Sequence, residues 1–499
     1  MCIRDSLGLQ KSSHAPNIVL ILTDDQDLLL DSMEAMPQVD ALLAKRGTTF
    51  SNFFVNLPLC CPARATLLRG QFPHNHGVTT NLWPTGGFAK AYVDGIEQAT
   101  FATALQGAGY RTALFGKYLN GYPFKTEPTY IPPGWDEWWA PITDTAYGSY
   151  GYQVNHNGQI EEYGFGPEDY ITDVMAQRAV AFITNTTTLS PTTPFFLALN
   201  VYAPHSPAEP APRHQGLFAD AKVPQTPSFN EADVSDKPPF IQSTPLLTPE
   251  DVENMDEQYR RRLQSLAAVD EAVAQLVQTL DDTKQLNNTY IIFASDNGYH
   301  MGQHRLLPGK GMPYEEDIHV PLIVRGPGVR KNAVRDELTA IIDLAPTFAE
   351  IAGTQMSIPS DGRSLLPLLS TRQPVENWRK SVLLEHYAPP SKEENETLSN
   401  ALEPPDPGDV QQEALKQPSP DYIGIRTPEY KYIQRIGPAR ELYDMMKDPY
   451  ELVNQWQNAD AQFKEELAIF MEGFRSCVGE SCREIDAMEP PVYRLQAGQ

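Results

Sequence analysis

Five apolar residues, Ile18-Val19-Leu20-Ile21-Leu22, stop abruptly at Thr23-Asp24-Asp25-Gln26. The same break recurs along the chain. Residues 111–115 run into Gly116-Lys117, residues 194–201 into Pro204-His205, and residues 290–294 into Ser295-Asp296-Asn297-Gly298. Residues 320–324 form one more such run. These runs fall far short of the ~20 residues that span a bilayer. Unbroken rather than alternating, they suit strands buried on both faces of a mainly parallel sheet. Helical patterns lie between them, at 36–45, 101–108 and 258–280. The last carries Leu263, Leu266, Val269, Val273, Leu276 and Leu280 on one face, as a helix covering a sheet would. Alternating strands and helices read as an α/β fold.

The chain has 499 residues, 41% of them hydrophobic, which is ample for a large core. The expected division is a catalytic domain over 16–375 and a smaller C-terminal α+β unit over 376–499. Within the second, residues 389–420 are dominated by Pro, Glu, Asp, Asn and Ser and lack periodicity, as expected of a surface insertion. A hairpin is expected at 422–426 and 430–434, and a helix at 461–474. The charge balance is 39 basic against 64 acidic residues, or −25. That argues against nucleic-acid binding or adhesion to an anionic membrane, yet leaves room for a small basic pocket. Cys477 and Cys482 flank a polar, Gly-containing turn where a local disulfide fits, the alternative being two free thiols. A disulfide implies an oxidising compartment. The first residues, Met1 to Gly8, show no signal-peptide pattern, and the expectation is that the true N-terminus is missing and the fold starts near Pro16.

Polar groups collect at the downstream ends of the expected strands, the edge where open α/β sheets bind ligands. Asp24, Asp25, Asp296 and Asn297 offer three carboxylates and an amide oxygen, a hard donor set for Ca²⁺ or Mg²⁺ rather than zinc. Most informative is Leu59-Cys60-Cys61-Pro62-Ala63-Arg64-Ala65-Thr66-Leu67-Leu68-Arg69-Gly70, with the spacing C-x-P-x-R. This segment resembles the signature of the sulfatase family, in which the first Cys is oxidised to Cα-formylglycine. Further motifs fall in the family's order: Gly116-Lys117, Pro204-His205-Ser206-Pro207, Ser295-Asp296-Asn297-Gly298, Gly309-Lys310 with Tyr314-Glu315, and Glu441-Leu442-Tyr443-Asp444.

The resemblance implies an alkaline-phosphatase-like fold, a sheet sandwiched by helices with a smaller C-terminal sheet domain. It implies metal ligands Asp24, Asp25, Asp296, Asn297 and the modified Cys60, with Ca²⁺ the usual ion and Mg²⁺ possible. It further implies a formylglycine-generating enzyme as a partner in maturation. The hydrated aldehyde would supply the nucleophile, with the cation polarising the sulfate. Arg64 would hold the nucleophile's oxygen, Lys117 and Lys310 would neutralise sulfuryl charge, and His205 would serve the leaving oxygen.

Many sulfatases carry a histidine two residues after the lysine of G-K, but here Leu119 stands there. The base for the second step is left open between His300 and His304, both also candidates for substrate binding. Cys60-Cys61-Pro62, Pro73-His74-Asn75-His76, Gly116-Lys117-Tyr118-Leu119-Asn120 and Ser295-Asp296-Asn297-Gly298-Tyr299-His300 together resemble N-acetylglucosamine-6-sulfatases and the related heparan endosulfatases. The Pro73–His76 strip is expected near the substrate pocket. The expected activity is removal of sulfate from a sulfated sugar, 6-O-sulfated N-acetylglucosamine in particular, in an extracytoplasmic setting. The alternatives are phosphoester or phosphonate hydrolysis on the same fold, or an inactive sulfated-glycan-binding protein.

Overall fold

The computed structural model describes residues 15–388, 406–408, 411 and 421–495. Most of the insertion expected at 389–420, and the N-terminal residues through 14, lie outside the described residues. Sixteen strands are described in chain order. They are β1 (Asn17–Thr23), β2 (Thr48–Phe50), β3 (Phe53–Phe54), β4 (Arg111–Gly116), β5 (Glu137–Pro141), β6 (Gln153–His156), β7 (Gln159–Glu162) and β8 (Phe195–Asn200). They continue as β9 (Thr289–Ser295), β10 (Leu322–Arg325), β11 (Ala333–Arg335), β12 (Thr339–Ala340), β13 (Val382–His386), β14 (Tyr422–Arg426), β15 (Tyr430–Arg435) and β16 (Arg440–Asp444).

Ten strands make one sheet in the order β11-β2-β10-β9-β1-β8-β4-β5-β6-β7. Its centre, β9-β1-β8-β4-β5, is parallel throughout. The flanks turn antiparallel, through β10 on one side and β6–β7 on the other. The run at 320–324 thus becomes an antiparallel strand, whereas the other apolar runs supply the parallel centre.

The uninterrupted apolar character of β1 has a direct explanation. Ile18, Leu20 and Leu22 enter a core shared with helices Cys60–Arg69, Phe101–Gly107 and Leu344–Ile351. Val19 and Ile21 point the other way, into a core shared with helices Ile171–Leu189 and Pro249–Asp282. A strand sandwiched by helices has no solvent face on which alternation could appear. The helix expected at 258–280 is longer, starting at Pro249 with Thr248 as its cap: the Thr248 hydroxyl accepts from the Asp251 N–H while the Asp251 carboxylate accepts from the Thr248 N–H. The helix expected at 36–45 is shorter, Pro37–Leu42 followed by a 3₁₀ turn.

Strands β13 to β16 form a separate antiparallel sheet, with β14 and β15 making the expected hairpin. Helix Ala461–Phe474 packs on it, and Cys477 and Cys482 are joined by a disulfide. The expected α/β architecture, a mixed, mainly parallel sheet sandwiched by helices plus a smaller C-terminal unit, is therefore the observed one. Among the described residues no helix is long and apolar enough to cross a membrane.

Backbone crowding is severe where β4 ends. Gly116 has φ 114°, and a Cβ there would lie 2.1 Å from the Asn200 carbonyl oxygen on neighbouring β8. Only glycine lets β4 approach β8 closely enough to bring Lys117 to the sheet edge. Gly116→Ala is expected to cost about 3 kcal/mol or more of stability, combining a disfavoured φ with a backbone clash. Urea unfolding checks this, and an unchanged midpoint would refute the packing argument.

Candidate active site

Four chain breaks converge at the C-terminal edge of the parallel strands. Beyond β1, the Asp24 N–H donates to the Ala203 carbonyl and the Asp25 N–H to the Asp296 carboxylate. Beyond β9, the Asp296 N–H donates to the Thr23 carbonyl. These cross-links lock Asp24-Asp25 and Asp296-Asn297 side by side, and all four residues are fully buried.

Helix Cys60–Arg69 points its first residue at this cluster. Cys60 Sγ lies 3.4 Å from Asp24 Oδ1 and 3.8 Å from Asp25 Oδ1. Ligand atoms of Asp24, Asp25, Cys60 and His205 all lie within 4.8 Å of one another. Asp296 stands beside this group rather than in it, its carboxylate taken by Arg64 Nε at 2.7 Å. Asn297 Nδ2 donates to Asp25 at 2.7 Å, while its Oδ1 is buried with no hydrogen-bond partner among the described residues. An orphaned amide oxygen beside three carboxylates is what an oxygen-seeking divalent cation would satisfy. Asp24, Asp25, Asp296 and Asn297 therefore fit such an ion.

Three cations offset the acids. Lys117 Nζ pairs with Asp24 at 2.5 Å, and Lys310 Nζ reaches both Asp25 oxygens at 2.9 Å. Arg64 spans the site, donating to Asp296 and through Nη1 to the Lys117 carbonyl. His205 Nδ1 faces the Ser206 carbonyl at 2.7 Å and so carries the proton. Its Nε2 is turned inward, 3.0 Å from Lys310 Nζ.

Burial resists charging Asp24, but Lys117, His205, Arg64 and Lys310 together outweigh it and hold the carboxyl well below its usual range. Asp296 goes the other way. Burial, reinforced by the neighbouring Asp24 charge, pushes it up to about 7 despite Arg64 and Lys117.

The remaining sequence candidates lie differently. His300 Nδ1 is held by Asp317 at 2.8 Å, and its backbone pairs with Gly309, one residue from Lys310. His304 Nδ1 binds Glu231 at 2.6 Å and its ring packs on Tyr314, contacts that do not join it to the carboxylate cluster. Leu119 is buried in the apolar core. The Pro73–His76 strip is held by hydrogen bonds to several elements. His74 binds Glu385 and the Cys477 carbonyl, and His76 binds Thr66 and the Val78 N–H. These contacts tie the strip to the Cys60–Arg69 helix through Thr66, to β13 through Glu385 and to the disulfide turn through Cys477.

Four contributors carry no motif. Tyr147 lies under Lys117, with Nζ 5.0 Å from its ring centre, and packs on His205 at 4.7 Å. Asn200 donates to the Lys117 carbonyl. Arg262 donates to the Asp25 and Pro204 carbonyls. Asp406 comes within 3.6 Å of Lys310. Tyr147 and Asp406 sit in stretches without periodicity, and Arg262 is hidden in a long amphipathic helix.

The sequence profile of the family described as Sulfatase matches residues 16–354. A Caenorhabditis elegans protein named putative extracellular sulfatase Sulf-1 homolog is 41% identical over 76% of this chain. The chain spans only 53% of that relative's length. Human N-acetylglucosamine-6-sulfatase is 34% identical over 97% of this chain and 88% of its own. Among solved structures, a protein described in complex with its substrate D-glucosamine-2-N,6-O-disulfate superposes with a TM-score of 0.73. It is 24% identical, the match covering 96% of this chain and 99% of that one.

The Asp296 shift has a sign that can be checked. Below about pH 7 this carboxyl holds a proton that a bound cation must displace, so affinity rises with pH until the group is ionised. Calcium titration by calorimetry should show affinity falling about tenfold per pH unit below 7. A pH-independent affinity between 5.5 and 7 would refute this assignment.

Proposed function

This chain belongs to the sulfatase family, and on that premise we propose that it is a sulfuric ester hydrolase acting on a sulfated sugar, with 6-O-sulfated N-acetylglucosamine as substrate. The observation that carries the reading is Cys60 at a helix N-terminus, its sulfur 3.4 Å from Asp24, ringed by Arg64, Lys117, Lys310 and His205. Cys60 converted to formylglycine would supply a hydroxyl nucleophile. A divalent ion, Ca²⁺ by family habit, would be held by Asp24, Asp25, Asp296 and Asn297, with Cys60 adjoining, and would polarise the sulfate oxygens.

The charges make the pocket suitable. Asp24, Asp25 and Asp296 offset Arg64, Lys117 and Lys310, so a bound ion's two positive charges are left for the sulfate and the developing oxyanion. Arg64 holds the nucleophile end of the pocket, its guanidinium fixed by Asp296 and the Lys117 carbonyl. Lys117, cushioned by Tyr147, and Lys310 hold the sulfate oxygens. With Nδ1–H committed to Ser206, His205 would work through Nε2: as the imidazolium it would give its Nε2 proton to the departing sugar oxygen and return to the neutral Nδ1–H form. His300, adjoining the Lys310 loop, is the better placed of the two histidines for the second step.

The human relative's name supports the choice of sugar. The Cys477–Cys482 disulfide, and the word extracellular in the nematode relative's name, support an extracytoplasmic location matured by a formylglycine-generating enzyme. A net charge of −25 around a small cationic pocket favours one terminal sulfate over a long polyanion.

Protein matured in its native host should show the Cys60 peptide lighter by about 18 Da, the covalent change itself. It should release sulfate from N-acetylglucosamine 6-sulfate. A preference for aryl phosphate over aryl sulfate would instead establish the phosphoester alternative. Lys117→Ala should cut kcat by about 10²–10³, as loss of one oxyanion contact does. Unmodified Cys60 in active native protein would sink the mechanism.

A further inference from the structure

Asp406 belongs to the polar segment between β13 and β14, yet it is only 2% exposed. A carboxylate is seldom buried to that degree unless it is held by partners. Its Oδ1 accepts from the Tyr299 hydroxyl at 2.8 Å, and its Oδ2 lies 3.6 Å from Lys310 Nζ. Tyr299 is itself fixed, receiving a hydrogen bond from Gln258 and lying under the Arg262 guanidinium at 4.3 Å.

The described pieces of this segment are fastened to the turn that carries Lys310. The Gly408 N–H donates to the Pro308 carbonyl at 2.8 Å. Gln411 accepts from the Leu307 N–H at 3.0 Å and donates to the Arg305 carbonyl. The approach at Gly408 is close, since a Cβ would lie 3.0 Å from the Leu307 carbonyl oxygen and 3.1 Å from that of Pro308. Residues 406–408 and 411 and the turn therefore hold one another in place.

We propose that Asp406 is the positioning residue for Lys310, a fixed counter-charge that keeps the ammonium between Asp25 and His205 and directed at the sulfate. The inference rests on the sulfatase reading. A lysine stem has four rotatable bonds and loses rotamer freedom when its head is pinned. Asp25 faces the ammonium from the nucleophile side, where it is also a ligand candidate for the cation. Asp406 faces it from the other element, with its remaining oxygen committed to Tyr299. Lys310 thus has Asp25 on one side, also a ligand candidate for the cation, and Asp406 on the other.

Asp406→Asn is the decisive variant, because the amide oxygen still accepts from Tyr299 while the charge is gone. In matured enzyme, KM for the sulfated sugar and the dissociation constant of inorganic sulfate, measured by calorimetry, should each rise about tenfold. The thermal midpoint should hold, and Asp406→Glu should recover most of the sulfate affinity. Unchanged KM and unchanged sulfate affinity in Asp406→Asn would overturn the proposal. So would a loss that Asp406→Glu shares in full, since shape rather than charge would then be responsible. Wild-type enzyme that neither binds sulfate nor hydrolyses sulfate esters is the separate failure of the functional reading, and takes this inference with it.

Discussion

Asp24 and Lys117 meet at 2.5 Å with both side chains out of water, and the rest of the site is arranged around that pair. Three carboxylates packed at one sheet edge would repel one another strongly in a poorly screened interior. The fold tolerates them because each has a cation brought by a different element: Lys117 from the end of β4, Arg64 from a helix, Lys310 from a late turn. The crowding is not fully relieved, as the raised Asp296 shows. That residual repulsion is what a bound divalent ion would remove.

The second sheet is more than an appendage. Tyr314 and Glu315 follow directly from the Lys310 turn and are anchored in it: Tyr314 donates to Glu441, and Glu315 pairs with Arg426 and Lys431. Glu451 also binds Lys431, and Arg435 pairs with Glu441. These are buried ions, worth little net stability when intact but costly to break singly. Such a network fixes one docking geometry of the small sheet against the large one, and so one position for the turn between them.

Legibility in the sequence followed burial. Strands β1, β4, β8 and β9 were readable because helices cover both their faces, leaving unbroken apolar runs. The sheet edge β5–β7 was not, because Glu137-Trp138-Trp139-Ala140-Pro141 and the mostly exposed β7 carry neither a clean run nor a clean alternation. The motif residues Asp24, Asp25, Cys60, Arg64, Lys117, His205 and Lys310, from strand ends, one helix and a late turn, do meet. The partners of Pro73–His76 were not legible, because His74 and His76 are held by Glu385, Cys477 and Thr66, of which only Thr66 is near in sequence. Asp406 could not have been found. It lies in a segment whose composition signals an exposed loop, and among the described residues its partners Tyr299 and Lys310 are distant in sequence.

A single apolar interior runs from β1 and the Cys60–Arg69 helix through Phe348 and Leu365 to Leu384, Ile425, Phe463 and the two joined cysteines. The family profile ends at residue 354, but that interior does not. A cut there would split one shared core instead of separating independent ones. Chimeras assembled from this chain should accept exchanges in solvent-facing loops and reject a crossover at that seam, so the molecule has to be inherited or redesigned as a single piece.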